Sequence, residues 1–496
     1  MPSKFKVLLV YPNLQMINLL PSNISILSAC LKQNGFEVDI FDTTFYKTEQ
    51  QSIDEKRVEI LQLRPFDLTK YGLHYANTNV YDDFRKKVES FKPDLISITI
   101  VDDTLHLSIE LLKTVSDLDI PVCAGGVHVI FSPEAVLSHD EVDYICWGEG
   151  EEALPELCSH LRDDLPPDNI KNIWSKKNGK IIQNSMRELV NLDEIPYNDF
   201  SIFEEKRFFR PMQGKVFRMV PVEIDRGCPY SCQFCAAPHL RALYKKETEC
   251  NYYRMKSLDR VIDEIKFYIK KYRAEYIFFN SETFLAMPDA KFDEFSRRYI
   301  DEIKIPFWCQ SRIETISDFK ISRLVRMGCD RISIGLEHGN EEFRKKVLNK
   351  PFTNENVIKA FEILKKYSIP VTVNNIIGFP EETREMVFDT IYLNRKIYAD
   401  SISAFIFVPY HGTMLRELAL KKGYINQDTE THSIVYPALD MPQLSKESIF
   451  GLLRTFPLYI KMPESRFGEI KIAEQFTEEG NAMFAKLAEE YAQRYW

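Results

Sequence analysis

Three cysteines, Cys228, Cys232 and Cys235, stand in the run RGCPYSCQFCAAP at residues 226–238 with the spacing CxxxCxxC. Thiolates are the ligands that zinc and iron–sulfur clusters select. Three are too few for a closed zinc tetrahedron and an odd count for a disulfide framework. On one compact loop, three thiolates can hold three corners of a 4Fe–4S cube and leave the fourth iron open to a small molecule. A zinc site completed by His239 or Cys250, and a set of merely buried thiols, are the competing readings. Zinc modules usually show paired CxxC units. Gly227 and Pro229 mark the stretch as a loop, where core thiols have no reason to keep this spacing. Cys30, Cys123, Cys146, Cys158, Cys309 and Cys329 lie in or beside apolar runs and read as core thiols.

A loop with that task needs elements to hold it. Strand-like runs recur at VFRMVPVEIDRGC, EYIFFN, IPFWCQ, DRISIGLE, IPVTVNNIIGFP and SISAFIFVP, with helix-period stretches such as SLDRVIDEIKFYIKKY and NVIKAFEILKKY between them. Six strand–helix units predict a partial (β/α)6 barrel, short of the eight of a closed one. The cysteine loop follows the first strand, Glu282 the second, Arg312 the third and Glu337 the fourth. Gly378-Phe379-Pro380 follows the fifth, and Pro409 to Gly412 the sixth. All fall at the end where such barrels place their chemistry. An ion pair between Arg312 and Glu337, bracing the barrel mouth, is the structural alternative to ligand binding.

Upstream, KFKVLLVYP, FEVDIFD, PDLISITIV, IPVCAGG and VDYICWGEG alternate with helix-length sequence, Ser22 capping the first helix and Gly35 ending it. This pattern predicts a doubly wound parallel sheet over residues 1–162, which binds ligands outside the carboxyl ends of its strands. Ser97, Thr99, Gly125, Gly126, Val127, His128, Gly148, Glu149 and Gly150 sit at those ends. Taken singly, the glycines are equally well explained as turn residues. No GxGxxG follows the first strand, which disfavours a dinucleotide. Residues 47–90 read as a charged, Tyr-rich, helical insertion. Residues 163–215 hold a hairpin at KNIWSKKNGKIIQN, turning at Asn178-Gly179, and then a linker. The barrel takes residues 216–412 and a C-terminal helical region 413–496.

The 496 residues are 45% hydrophobic and 28% charged, the balance of a globular protein of several domains. A net charge of −9 disfavours nucleic-acid binding through bulk charge, and no apolar run nears the ~20 residues of a membrane span. The apolar run in MPSKFKVLLVYPN is too short for a signal peptide, so a cytoplasmic setting with reduced thiols or metal ligands is expected.

CxxxCxxC with an aromatic residue, Phe234, before the last cysteine resembles the radical S-adenosylmethionine (SAM) superfamily. RMGCDRISIGLEHGNEEFRKKVLNK, NNIIGFPEET and FVPYHGTMLRELALKKGYI look like its fourth-, fifth- and sixth-strand regions. The resemblance implies a 4Fe–4S cluster on Cys228, Cys232 and Cys235, with SAM on the open iron and reductive cleavage to a 5′-deoxyadenosyl radical. It implies SAM contacts at Phe234, at Glu282, Arg312 and Glu337 for the ribose and methionyl ends, and at Ile377 and Gly378 under the adenine. A doubly wound domain with GGVHVIFSPEAVL and VDYICWGEGEEALPEL ahead of such a barrel resembles the cobalamin-binding subfamily, as does RTFPLYIKMPESRFGEI near the C-terminus. Cobalamin is then expected at the strand-end positions from Ser97 to Gly150 named above. YPNLQMINLLPSN lacks the DxHxxG that donates a histidine to cobalt, so no histidine ligand is expected; His106 in VDDTLHLSIELL reads as a helix residue.

The activity implied is methylation of an unactivated carbon, or of phosphorus, with the methyl passing from methylcobalamin to a substrate radical. Rearrangement, cyclisation or redox chemistry without methyl transfer is the alternative within the superfamily. A non-catalytic cobalamin or cluster sensor is the alternative outside it, and would call for an output module such as a helix-turn-helix, which the sequence does not show. The implied partners are a small-molecule substrate (a natural-product, lipid or tetrapyrrole precursor) and an electron donor such as flavodoxin or ferredoxin. No motif in residues 410–496 names the substrate.

Overall fold

The structure, a computed structural model, describes residues 4–177, 179–427, 429 and 434–496. Its strands in the N-terminal part are β1 (Lys6–Tyr11), β2 (Glu37–Asp42), β3 (Leu95–Thr99), β4 (Val122–Gly125), β5 (Tyr144–Cys146), β6 (Ile173–Lys177), β7 (Lys180–Ile182), β8 (Phe209–Met212) and β9 (Lys215–Val222). Then follow β10 (Asp225–Arg226), β11 (Arg254–Met255), β12 (Tyr276–Phe279), β13 (Phe307–Arg312), β14 (Cys329–Glu337), β15 (Val371–Ile377) and β16 (Ser401–Ile406). The chain divides into two compact units, one of residues 1–52, 67–225 and 240–275, the other of 53–66, 226–239 and 276–496.

In the first unit the sheet order is β2-β1-β3-β4-β5-β6-β7. The predicted parallel strands β1 to β5 pair in parallel. Their order reverses between β1 and β3, which opens a crevice beyond the carboxyl ends of those strands. β3 is buried along its whole length, as an apolar run covered on both faces must be. The hairpin that the sequence sets apart from this sheet instead continues it, since β6 pairs antiparallel with β5 and β7 with β6. Of its expected turn, Asn178 lies outside the described residues. The stretch read as a linker contains β8, which pairs antiparallel with β9 up to Met212 and Lys215. Gln213 and Gly214 make the connection with φ of 48° and 78°, the two left-handed positions a tight hairpin needs. Ser22 begins its helix and does not cap it: Pro21 occupies the N-cap without a side-chain hydrogen bond.

In the second unit β16-β15-β14-β13-β12 lie in that order, all parallel. These are five of the six strands predicted for the barrel; the other, β9, falls in the first unit. The C-terminal helices Lys446–Lys461, Phe467–Ala473 and Glu478–Tyr495 share a hydrophobic core with β15, β16 and the helix Arg384–Lys396. Arg384 fixes this packing with a two-pronged bond to Glu474 at 2.7 and 2.6 Å.

The Tyr-rich insertion is α-helical only over Ile53–Glu59 and Val80–Phe91, with a short 3-10 helix at Thr69–Tyr71. Its residues 53–66 belong to the second unit and cover the edge strand β16. Ile60 and Leu61 join the core there, Arg57 donates to the Ser403 hydroxyl at 3.2 Å, and the Gln62 carbonyl accepts the Ala404 N–H at 3.0 Å. An edge strand carries unpaired N–H groups, and Gln62 satisfies one of them in a buried setting. Gln62→Ala is therefore expected to cost about 1–3 kcal/mol locally. Faster amide exchange in the 401–406 peptide, with the β1–β5 sheet unaffected, is the readout. Among the described residues no helix is long and apolar enough to cross a membrane.

Candidate cofactor sites

Because β12 to β16 are parallel, Glu282, Arg312, Glu337 and Gly378 all fall at one end of that sheet. The cysteine loop begins at Gly227, whose φ of 88° lets the backbone turn out of β10. Three backbone positions pin the loop: Gln233 N–H donates to Leu348 O at 3.2 Å and Gln233 O accepts Leu415 N–H at 3.3 Å, while the Asn349 amide donates to Ser231 O at 2.8 Å.

All three cysteines are reduced thiols, outside any disulfide. Cys232 is buried and its sulfur accepts a 2.7 Å hydrogen bond from Arg312 Nη1. Cys235 Sγ accepts the Ala237 N–H at 3.5 Å, where the helix Ala237–Thr248 starts, and Cys228 Sγ lies 3.8 Å from the Thr283 hydroxyl. Burial pushes the Cys235 thiol up to about 12 and raises Cys228 as well, so the metal-free thiols hold their protons and must release them to a metal. Three reduced sulfurs on one pinned loop, each near an N–H or O–H, form a donor set that fits an iron–sulfur cluster.

Glu282 is exposed yet hemmed in by protein, and that desolvation lifts its carboxyl above the usual range. Its charge in turn acts on Cys228 and Cys235. Arg312 and Glu337 do not brace each other. Arg312 pairs with Glu314 at 2.6 Å, and Glu337 with the buried Lys350 at 3.0 Å. Glu337 has a φ of 65°, and its carboxylate occupies the space that a Cβ on Gly335 would need.

Ile377 is fully buried at the end of β15, and Gly378 follows with a φ of 82°. The N–H groups of Gly378 and Phe379 both donate to Glu382 Oε2, at 2.5 and 3.0 Å. Glu382 Oε1 lies 2.9 Å from His338 Nε2, and both side chains are fully buried. His338 Nδ1 accepts the Asn340 N–H at 3.0 Å, which leaves Nε2 to carry the proton and donate to Glu382. Phe234 reaches this turn from the cysteine loop, its ring 5.8 Å from that of Phe379. Sequence reasoning misses Glu382 and His338. The available signal is a carboxylate four residues after Gly378, within reach of the turn's N–H groups.

In the first unit Ser97 and Thr99 are buried on β3, and Thr99 Oγ1 accepts from Asn23 at 3.2 Å. The glycines divide into two kinds. A Cβ on Gly126 would run into the Ile100 backbone, and one on Gly148 would meet the Tyr244 hydroxyl at 3.0 Å and Asn172 at 3.1 Å. Those two serve the packing of the chain itself. A Cβ on Gly125 would make one ordinary contact, 3.8 Å from Cys146, so its smallness leaves backbone open to a ligand. Gly150 faces Leu27, and Val127 opens the short helix Val127–Phe131. His128 is buried there with Nδ1 3.4 Å from Asp102. The Glu149 carboxylate is engaged by Arg254 at 2.5 and 2.7 Å and by Val190 N–H at 3.1 Å, a bracing role. His106 is exposed on the helix Leu105–Lys113, as expected of a helix residue. The strand ends thus present small hydroxyls and one open glycine beside the β1–β3 crevice, a lining that fits a large ligand's tail. The loop after β1 also borders that crevice, although no motif in it marks a site; Asn13 structures it through bonds to Thr43, Thr44 and Ile17 O at 2.7–2.8 Å.

Known proteins resemble the chain in both parts. The B12 binding domain family matches residues 18–158, and the radical SAM superfamily matches residues 222–392. An uncharacterized methyltransferase of Pyrococcus horikoshii is 27% identical over 384 residues, 76% of this chain and 81% of that protein. The anaerobic magnesium-protoporphyrin IX monomethyl ester cyclase of Rubrivivax gelatinosus is 25% identical over 371 residues, 72% of this chain and 64% of its own. Among solved structures, the radical SAM methyltransferase TsrM of Kitasatospora setae, with cobalamin and a 4Fe–4S cluster bound, aligns over 99% of this chain and 100% of that one, with a TM-score of 0.65 at 15% identity. The chain thus joins a B12 binding domain to a radical SAM domain whose pinned loop carries three reduced cysteines, and the cofactors of these domains are a 4Fe–4S cluster, SAM and cobalamin.

Proposed function

We propose that the protein methylates an unactivated carbon, or a phosphorus centre, of a small molecule. The observation that carries this reading is the pairing of a B12 binding domain with three reduced loop thiols at the head of the barrel; the methyltransferase relatives support it. When bound, the cofactors supply a 5′-deoxyadenosyl radical and a methyl carrier. The chain's own part is to hold and orient. Cys228, Cys232 and Cys235 ligate the cluster, and Glu282 offers an accessible carboxylate at the ligand's ribose or methionyl end. The N–H groups of the Gly378 turn are engaged by Glu382, so the turn offers the adenine a fixed backbone edge. Ser97, Thr99 and Gly125 line the cobalamin tail.

Methyl transfer consumes two SAM molecules by different routes, one leaving S-adenosylhomocysteine and the other 5′-deoxyadenosine and methionine. The two adenosyl products are therefore expected in about equal amounts, with label from a methyl-labelled SAM in the product. The second reading is a radical reaction without methyl transfer, favoured by the cyclase relative. It gives 5′-deoxyadenosine with little S-adenosylhomocysteine and an unlabelled product, and that result would end the methyltransferase reading.

A further inference from the structure

We propose that Arg312 is a positioning residue of the cluster loop, acting on the sulfur of Cys232 to raise the cluster's reduction potential, and is not a contact of the adenosyl ligand. The inference rests on the reading of Cys228, Cys232 and Cys235 as cluster ligands.

Arg312 is the last residue of β13, in register with Gly335 of β14. The residue is only 6% exposed and its guanidinium is held from three directions. Nη1 donates to Cys232 Sγ at 2.7 Å, Nη2 donates to Glu314 at 2.6 Å, and Cζ lies 4.0 Å from the centre of the Tyr230 ring. Tyr230 and Cys232 are on the same loop, so the guanidinium both stacks on that loop and points at its middle sulfur. Turning the group toward a ligand would break a charge-assisted hydrogen bond and a cation–π contact together. Glu337 has its own buried cation in Lys350 and does not draw Arg312 away.

A cation and an N–H donor on a thiolate favour the electron-rich state of the cluster that thiolate holds, which raises its potential. Glu314 offsets part of that field, but it is more exposed and more screened than the arginine. Glu282 acts in the opposite sense on the other two sulfurs. Arg312 thus places a cation against a cluster sulfur.

The test is a redox titration of the anaerobically reconstituted protein followed by electron paramagnetic resonance, with iron content and SAM dissociation constant measured alongside. Arg312→Ala is expected to keep its iron, shift the midpoint to more negative potential, and leave the SAM dissociation constant within about twofold. Arg312→Lys, which keeps the charge without the planar fork, is expected to fall between the two. If Arg312→Ala folds poorly, the same comparison between Arg312→Lys and the parent protein decides. An unchanged midpoint with a tenfold or larger rise in the dissociation constant would overturn the proposal and make Arg312 an adenosyl contact. The cluster reading fails separately, by retention of full iron in Cys232→Ala.

Discussion

Cys232→Ala is expected to lose the broad visible absorption of the cluster and all reductive cleavage of SAM, and Cys228→Ala and Cys235→Ala are expected to do the same. A cube held at three corners has no spare ligand. The three sulfurs are not interchangeable with other cysteines of the chain, because the cysteines in the strands are walled in. Cys309 is fully buried on β13 and Cys329 is buried at the start of β14. Replacing either is expected to cost stability of the order of 1 kcal/mol and leave iron content unchanged. The loop itself should survive the Cys232 change, since its pins are made by the backbone at Ser231 and Gln233. Iron and sulfide analysis of each anaerobically purified variant is the measurement. Full iron and activity in Cys232→Ala would refute the cluster assignment.

Glu382→Gln is expected to disorder the fifth-strand turn. Three buried donors converge on the Glu382 carboxylate: the N–H groups of Gly378 and Phe379, and Nε2 of His338. Glutamine offers one oxygen and sets an NH2 against the remaining donors, so at least one is left without an acceptor. Leaving a buried donor without its acceptor costs about 1–3 kcal/mol. The loss is local, because the cysteine loop is pinned by other residues. A lower thermal midpoint and at least tenfold weaker SAM binding are expected, with iron content retained. His338→Ala removes one donor only and is expected to have the smaller effect. If Glu382→Gln lowers stability but leaves SAM affinity untouched, the adenine does not rest on this turn.

Much of the site is local in the chain and is legible there. On the proposed reading, the spacing of Cys228, Cys232 and Cys235 follows from the size of the cluster they would hold. The strands β12 to β16 are short apolar runs separated by helical periods, and a parallel sheet puts all their carboxyl ends on one side whatever the details. That is why the order of residues along the chain is enough to group Glu282, Arg312, Glu337 and Gly378. The hairpin β6–β7 is visible in the sequence, but its membership of the first sheet is not, because alternation tells that a strand has a buried face and not which strand lies beside it. β8 escapes a reading by pattern because it is only four residues long and carries Arg210 and Pro211.

Partner choice is decided by the tertiary structure alone. Arg312 and Glu337 are oppositely charged and both stand at strand ends, so the sequence allows them to pair. The fold instead gives Arg312 the sulfur of Cys232, 80 residues away, and gives Glu337 the ammonium of Lys350. His338 meets Glu382 across 44 residues, and Gln62 closes the edge of β16 across 342. Periodicity and spacing are short-range signals that report which side of an element is buried. Which charge neutralises which, and which side chain ends a sheet, depends on packing between segments that share no local pattern.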